Sequence, residues 1–344
     1  MADEYYPIPA EPQYREQIRK LLNSDPASAD GTFNPLIAAL IENTAAVKRQ
    51  LDSMAKFYAP ALYAYDGVNI KEKFKGEMDY TEPWEWIRQR LAARDISGLH
   101  IKDYFEVTVK DNSQKDVLIQ AQMGGINHDL GFMDDEITVF HIDFISKDLW
   151  PELHVWNKVN YNNGLSTEPN PWLCSDLKAW LNSEKTSVPN AITVNPATVA
   201  VDYTTTGVFD KLPASLGSII VERRDYLSQR YSSSGLLTDD NSWDGWKNIG
   251  KLWVPNETEV YGQIVWGTRN GYSIGTAHQF PIFTDGRTCI KHLGTGGSRY
   301  HWWLRSAISG NATIVAYVAG AGTTNYYITS ATGVGAPICF RISG

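Results

Sequence analysis

Apolar side chains recur at alternating steps of three and four through "NPLIAALIENTAAVKRQLDSMAKFY", at Ile37, Leu40, Val47, Leu51, Met54 and Tyr58, with Thr44 in phase. Such steps keep one face of a helix apolar, and their strict alternation is a heptad. Ile37, Thr44, Leu51 and Tyr58 fall at a, and Leu40, Val47 and Met54 at d. Asn34 supplies a capping oxygen, and Pro35 takes the first helical position, where its missing N–H removes no bond. A helix of about three heptads is marginal alone in water. The stripe therefore predicts a short parallel bundle in which Ile37, Leu40, Val47, Leu51 and Met54 join identical chains. The alternative is an amphipathic helix packed on its own domain.

The segment before it, residues 1–33, is rich in proline and polar side chains and reads as an extended connector. After it, "YTEPWEWIRQRLAARD" predicts a second helix capped by Thr81. "DYFEVTVKD" alternates with period two and predicts a strand, and "EITVFHIDFIS" (136–146) predicts a more apolar one. Helices are expected in "SDLKAWLNSE" and "DKLPASLGSIIVERRDYL", then short strands and Gly-rich turns to the end. No internal repeat is present. The pattern predicts an α+β chain in three parts: an extended segment 1–33, a helical oligomerisation region 34–98 and a long domain 99–344.

One stretch stands apart. Between Arg305 and Arg341 there is no Asp, Glu, Lys, Arg or His. "WWLRSA" holds too much apolar area to lie exposed, so it is expected to be a core strand, with Arg305 tied to a carboxylate or to carbonyls. "TIVAYV" predicts a strand, "AGAG" (319–322) a turn, and "TTNYYITS" the return strand. The closing strand "APICFRI" is expected to pair with "YFEVTV". Core packing does not require the Tyr- and Thr-bearing positions here, and tyrosine on a rigid scaffold suits an adaptable contact surface. The candidate ligand-binding set is Tyr300, His301, Ile308, Asn311, Thr313, Ala319, Ala321, Thr323, Asn325, Tyr326, Tyr327, Ile328 and Thr332.

Composition narrows the function. With net charge -8 and no dense Lys/Arg run, the chain lacks the basic stripe of a nucleic-acid binder. No apolar run is long enough for a membrane span. The first twenty residues lack the order of a secretory leader, so synthesis in the cytoplasm without a signal peptide is expected. Cys174, Cys289 and Cys339 are too widely spaced for a zinc ribbon and read as buried thiols. The seven histidines show no metal-ligand spacing, and His141 reads as a core histidine. Asp239 with Asp240, or Glu257 with Glu259, offer carboxylate pairs for sugar cleavage, but acidic loop positions more often cap turns. Glu168-Pro169-Asn170 resembles a calcium-dependent sugar-binding tripeptide, but precedes a helix instead of lying near the last strands. "LGTGGSR" (293–299) reads as a turn. The expectation is a non-enzyme without cofactor or metal.

Two regions carry a family resemblance. "LLNSDPASADGTFNPLIAALIENTAAVK" resembles the N-terminal segment of bacteriophage tail-fibre and baseplate-attached proteins. From about residue 100 onward, "HIDFIS", "PWLCSDLKAWLN", "RYSSSGLLTDD", "KLWVPNETEVYG", "WGT", "WWLRSA" and "GAPICFRI" resemble a phage domain of C-type-lectin-like fold. Proteins of this kind are often variable targets of diversity-generating retroelements, in which randomised adenines recode the C-terminal segment. Lys, Glu, Gln, Met and Trp cannot arise from a randomised Asn codon, and none occurs from Ile308 to Thr332. The resemblance implies a tail-associated, homotrimeric receptor-binding protein of the virion that adheres to a bacterial surface protein or glycan. The alternatives are a glycan-degrading tail enzyme and a purely structural baseplate protein.

Overall fold

Tyr104–Lys110 (β1) buries Phe105, Val107 and Val109 while Thr108 and Lys110 face out, as period-two alternation requires. The computed structural model describes residues 39–48, 65–78, 83–131, 137–191, 197–228, 243–267, 278–308 and 310–344. Asp111 accepts from the backbone N–H groups of Ser113 and Lys115, forming the turn into Asp116–Ile126 (β2), which pairs antiparallel with β1. His141–Leu149 (β3) is buried from His141 through Ser146 and pairs antiparallel with β2.

Short hairpins and loops follow: Lys185–Pro189 (β4) with Thr198–Asp202 (β5), then Ile220–Val221 (β6). Arg224–Ser228 (β7) pairs with Trp243–Asn248 (β8), ahead of Leu252–Trp253 (β9). Lys291–His292 (β10) pairs with Arg299–Tyr300 (β11). Trp302–Ala307 (β12), Ile314–Val318 (β13) and Thr324–Ile328 (β14) form a separate antiparallel sheet. Pro337–Ser343 (β15) returns to the main sheet, whose order is β1-β2-β3-β15-β6, with β9 also on β15. The architecture is mixed α+β, with an antiparallel main sheet and few helices.

The closing strand therefore pairs with β3 and not with β1. β1 and β2 are joined by a short turn, so their pairing closes a small loop at low entropic cost. β1 keeps one partly solvated face, which suits an edge, whereas β3 and β15 are buried almost throughout and suit the centre. The "DKLPASLGSIIVERRDYL" region is likewise no long helix. It contains a 3-10 turn Phe209–Lys211, a four-residue helix Ala214–Gly217, and strands β6 and β7. Pro213 interrupts the first turn and Ile219, Ile220 and Val221 favour extended backbone.

The chain divides into two compact units, residues 1–65 and 66–344. In the first, residues 39–48 are helical, with Leu40 and Val47 exposed. Ile37, Leu51 and Met54 of the heptad, and Thr81 of the second helix, lie outside the described residues. The helix Pro83–Ala92 belongs to the second unit. Its Trp84 packs on Phe105, Phe144 and Phe340, with ring centroids 4.6, 5.8 and 6.0 Å away. These aromatic contacts tie it to the central strands.

Candidate functional site

β12 is buried on both faces: Trp302, Trp303 and Leu304 are inaccessible, and Arg305 is 6% exposed. The Trp302 ring N–H donates to the Cys289 carbonyl at 2.9 Å, and that of Trp303 to the His154 carbonyl at 2.8 Å. Arg305 donates to the Val254 carbonyl at 2.7 Å, to both oxygens of Glu259 at 2.7 and 2.9 Å, and to Asp225. The sequence expectation of a scaffold arginine holds.

The network reaches further. Arg223 forms an ion pair with Glu259 at 2.6 Å and donates to Asp129 at 3.1 Å, and Arg341 donates to Asp143 at 2.8 Å and also to Asp129. Burial alone would raise Glu259, but Arg223 and Arg305 outweigh it and hold the carboxyl down at about 2. Burial pushes Asp225 above the usual carboxylate range against the pull of Arg305, aided by repulsion from Glu259.

On this base β13 and β14 form a hairpin whose turn carries Gly322 at φ +85°, a backbone region suited to glycine. Tyr261 donates its hydroxyl to the Gly322 carbonyl at 3.1 Å and pins the turn. Among the described residues β14 pairs only with β13, and Asn325 Oδ1 accepts from the Tyr326 N–H at 2.8 Å, blunting that edge. Register places Val315, Tyr317, Asn325 and Tyr327 on one face and Ala316, Val318, Thr324 and Tyr326 on the other.

Each face carries its own aromatic set. Tyr326 meets Trp266 edge-on with centroids 4.9 Å apart. Buried Glu257 builds this contact: it accepts from the backbone N–H groups of Trp266 and Gly267 at 3.1 and 2.7 Å, and from the Thr324 hydroxyl at 3.1 Å. One carboxylate thus ties the Trp266 segment to β14. On the opposite face Tyr327, Tyr317 and His301 form a chain of T-shaped contacts at 5.9 and 5.3 Å. They border a cleft of about 430 Å³, lined also by Ile328, Ser330 and Thr332.

The predicted positions divide by exposure. His301, Asn311, Ala321, Thr323, Asn325, Tyr326, Tyr327, Ile328 and Thr332 are exposed, while Tyr300, Thr313 and Ala319 are half-buried. Asn311 turns its side-chain oxygen onto the N–H and hydroxyl of Thr313, both at 2.8 Å. Ile308 is 6% exposed and bridges to Gly267, so it belongs to the core and leaves the contact surface. Trp266 was not among the contact-surface candidates, and Glu257 entered only as one of a carboxylate pair. Their signal is tertiary, because the helix Glu257–Tyr261 meets the hairpin only after folding.

Other chemical candidates are occupied. Glu257 and Glu259 are both buried and bonded as above, and Asp239 and Asp240 lie outside the described residues. Asn170 accepts from the Trp172 N–H at 3.0 Å, and Glu168 from the Asn170 N–H at 3.1 Å, so both shape a turn. His141 is 1% exposed and bonds the Val139 carbonyl and the Asp129 N–H, as a satisfied core histidine does. The ligand atoms of His128, Asp129 and His278, and of Asp129, His141 and Asp143, lie within 4.8 Å of one another. Asp129 is shared by both groups and already faces Arg223 and Arg341, whose positive charge opposes a further cation. All three cysteines are free and buried, and burial pushes the Cys174 thiol up to about 12.

Residues 138–343 match the family model described as Domain of unknown function (DUF6273), which is more than half of the chain. The chain belongs to that family, and the match runs from just before β3 to β15, across the hairpin and all of the ion network but Asp129. No curated protein and no solved structure matches it significantly.

Proposed function

We propose that this DUF6273 protein is a phage tail-associated receptor-binding protein. Its second unit is a C-type-lectin-like domain that holds a non-catalytic contact surface against a bacterial surface ligand. One observation carries the reading. Nine large apolar side chains are exposed among the described residues, and four of them, Trp266, Tyr326, Tyr327 and Ile328, lie on or against the hairpin β13–β14, with Trp266 and Tyr326 on one face and Tyr327 on the other. Exposed apolar groups scattered singly need no explanation, but a rigidly supported cluster favours contact with a partner. The lectin-like assignment draws support from the antiparallel sheet closed by the last strand and from a small separate sheet carrying the exposed aromatics. A charge-free segment recoded at the hairpin would change the ligand without disturbing the buried β12 and β15.

Exposed Leu40 and Val47, seven residues apart on the first unit's helix, support assembly of identical chains into a trimer. Several copies would convert weak single-site contacts into avid attachment.

Cell adsorption tests the reading. Fluorescently labelled intact protein should bind at least one strain in a panel of bacteria. Changing Trp266, Tyr326 and Tyr327 to serine should reduce that binding by about tenfold or more, as loss of central aromatics does at contact surfaces, while leaving the melting temperature within a few degrees. Equal adsorption by the variant would refute the surface. Release of reducing sugar from the bound cells would instead favour the glycan-degrading alternative.

A further inference from the structure

The turn between β13 and β14 borders a second cleft. A Cβ at Gly322 would lie 3.2 Å from Ile290, which lines this cleft, and one at Gly320 would lie 3.6 Å from the Arg299 backbone. The cleft encloses about 430 Å³, and its charged lining includes Lys102, Lys147, Asp148, Asp285, Arg287 and Arg299.

These charges are unevenly matched. Lys102 Nζ donates to Asp285 at 2.7 Å, with both side chains 2% exposed, and Arg287 bonds the same carboxylate at 2.7 Å. Asp285 therefore faces two cations. Asp66 also lines the cleft but reaches Arg287 only at 3.5 Å from a largely exposed position. Asp148 is met by His292 at 3.4 Å. Lys147 and Arg299 are exposed, and neither has a carboxylate within ion-pair distance among the described residues. Among the described lining residues, four cations thus meet three carboxylates, in a chain of net charge -8.

We propose that this cleft binds the anionic group, carboxylate or phosphate, of an acidic sugar unit, with Arg299 and Lys147 as its principal donors. The guanidinium fork of Arg299 suits a planar carboxylate or a phosphate face, and the Lys147 ammonium adds a compact charge. Lys102 and Arg287 are both fixed on Asp285, which holds that side of the cleft in place. Arg299 stands two residues before His301, so the anion site and the aromatic cleft flank one turn. A single acidic glycan then spans both, placing neutral ring faces on tyrosine and its charge on arginine. The assignment of the sugar to a cell-surface glycan rests on the function proposed above.

Titration calorimetry on the intact chain with glucuronate, glucose 6-phosphate and glucose tests it. At low salt at least one of the two anions should bind saturably and about tenfold more tightly than glucose, which corresponds to one well-placed charge contact. The preferred anion separates carboxylate from phosphate recognition. Arg299→Gln combined with Lys147→Gln should bring the anion to the level of glucose, Arg299→Lys should retain part of the preference, and about 0.5 M sodium chloride should weaken it. Both side chains are exposed, so the fold should survive these changes. If neither anion outbinds glucose, or the double variant binds unchanged, the anion site is wrong. Cell adsorption that persists in that case would leave the aromatic contact surface standing. Anion binding without cell adsorption would overturn the function but not the site.

Discussion

His128 lies between two rings, those of His278 and Phe280, with each centroid 3.8 Å away. Burial pushes its pKa down to about 4, and the charges of His278 and Arg223 add to this against the opposing pull of Asp129. The unfolded chain would take up this proton near pH 6.5. The associated stability is therefore fully present above about pH 6.5 and lost as pH falls toward 4, on the order of 3 kcal/mol. His141 is lowered by the same leading cause, burial, and adds to the loss in the same direction. Glu259, held at about 2, has the usual carboxylate sign: its contribution is complete above the unfolded carboxylate range near 4 and is lost only as pH falls further. The urea midpoint should accordingly drop between pH 7 and 4.5, and His128→Phe should make that drop smaller while keeping the stack. An unchanged slope in the variant would assign the acid sensitivity elsewhere. The spacing of the histidines along the chain held no sign of this behaviour, because the burial of His128 and His141 is contributed by distant segments.

At the scale of elements, β12 shows what local pattern can and cannot reveal. Trp302, Trp303 and Leu304 marked a core strand, and the lone Arg305 in it needed a carboxylate or carbonyls to meet its charge. Which acid was not legible, because Glu259 and Asp225 lie 46 and 80 residues away. Arg305→Met should destabilise the fold by about 3–5 kcal/mol in denaturant titration, since it leaves Glu259 and Asp225 buried with one guanidinium fewer. A loss under about 1 kcal/mol would mean that Arg223 alone satisfies both carboxylates. Alternation likewise announced β1, β13 and β14, each within a short window. The partner of β15 was misassigned because pairing between distant strands depends on which neighbours bury both of its faces. Ile308 failed for a related reason: just past the end of β12, its bridge to Gly267 turns it inward.

At the scale of the whole molecule, the heptad is the part most directly written in the chain, yet Leu40 and Val47 are its only apolar stripe positions among the described residues. Both are exposed, at 60% and 43%. Light scattering on the intact protein should give three chain masses, and Leu40→Asp with Val47→Asp should give one. A monomeric native protein would contradict the bundle. The second compact unit begins at Asp66 and includes the helix Pro83–Ala92, whose Trp84 enters the aromatic core of the main sheet.

What the sequence determined by itself is local: the heptad stripe, the alternating strands, the turn glycines, and a hairpin with more tyrosine than a core requires. These depend on residues within a few positions of one another, where backbone geometry sets the period. Tertiary structure decided the rest. It joined Trp266 to Tyr326 through Glu257, assembled three arginines with four carboxylates from positions 129 to 341, and brought Lys147 and Arg299 into the lining of one cleft. Burial and charge proximity are properties of space, and only the folded chain supplies them.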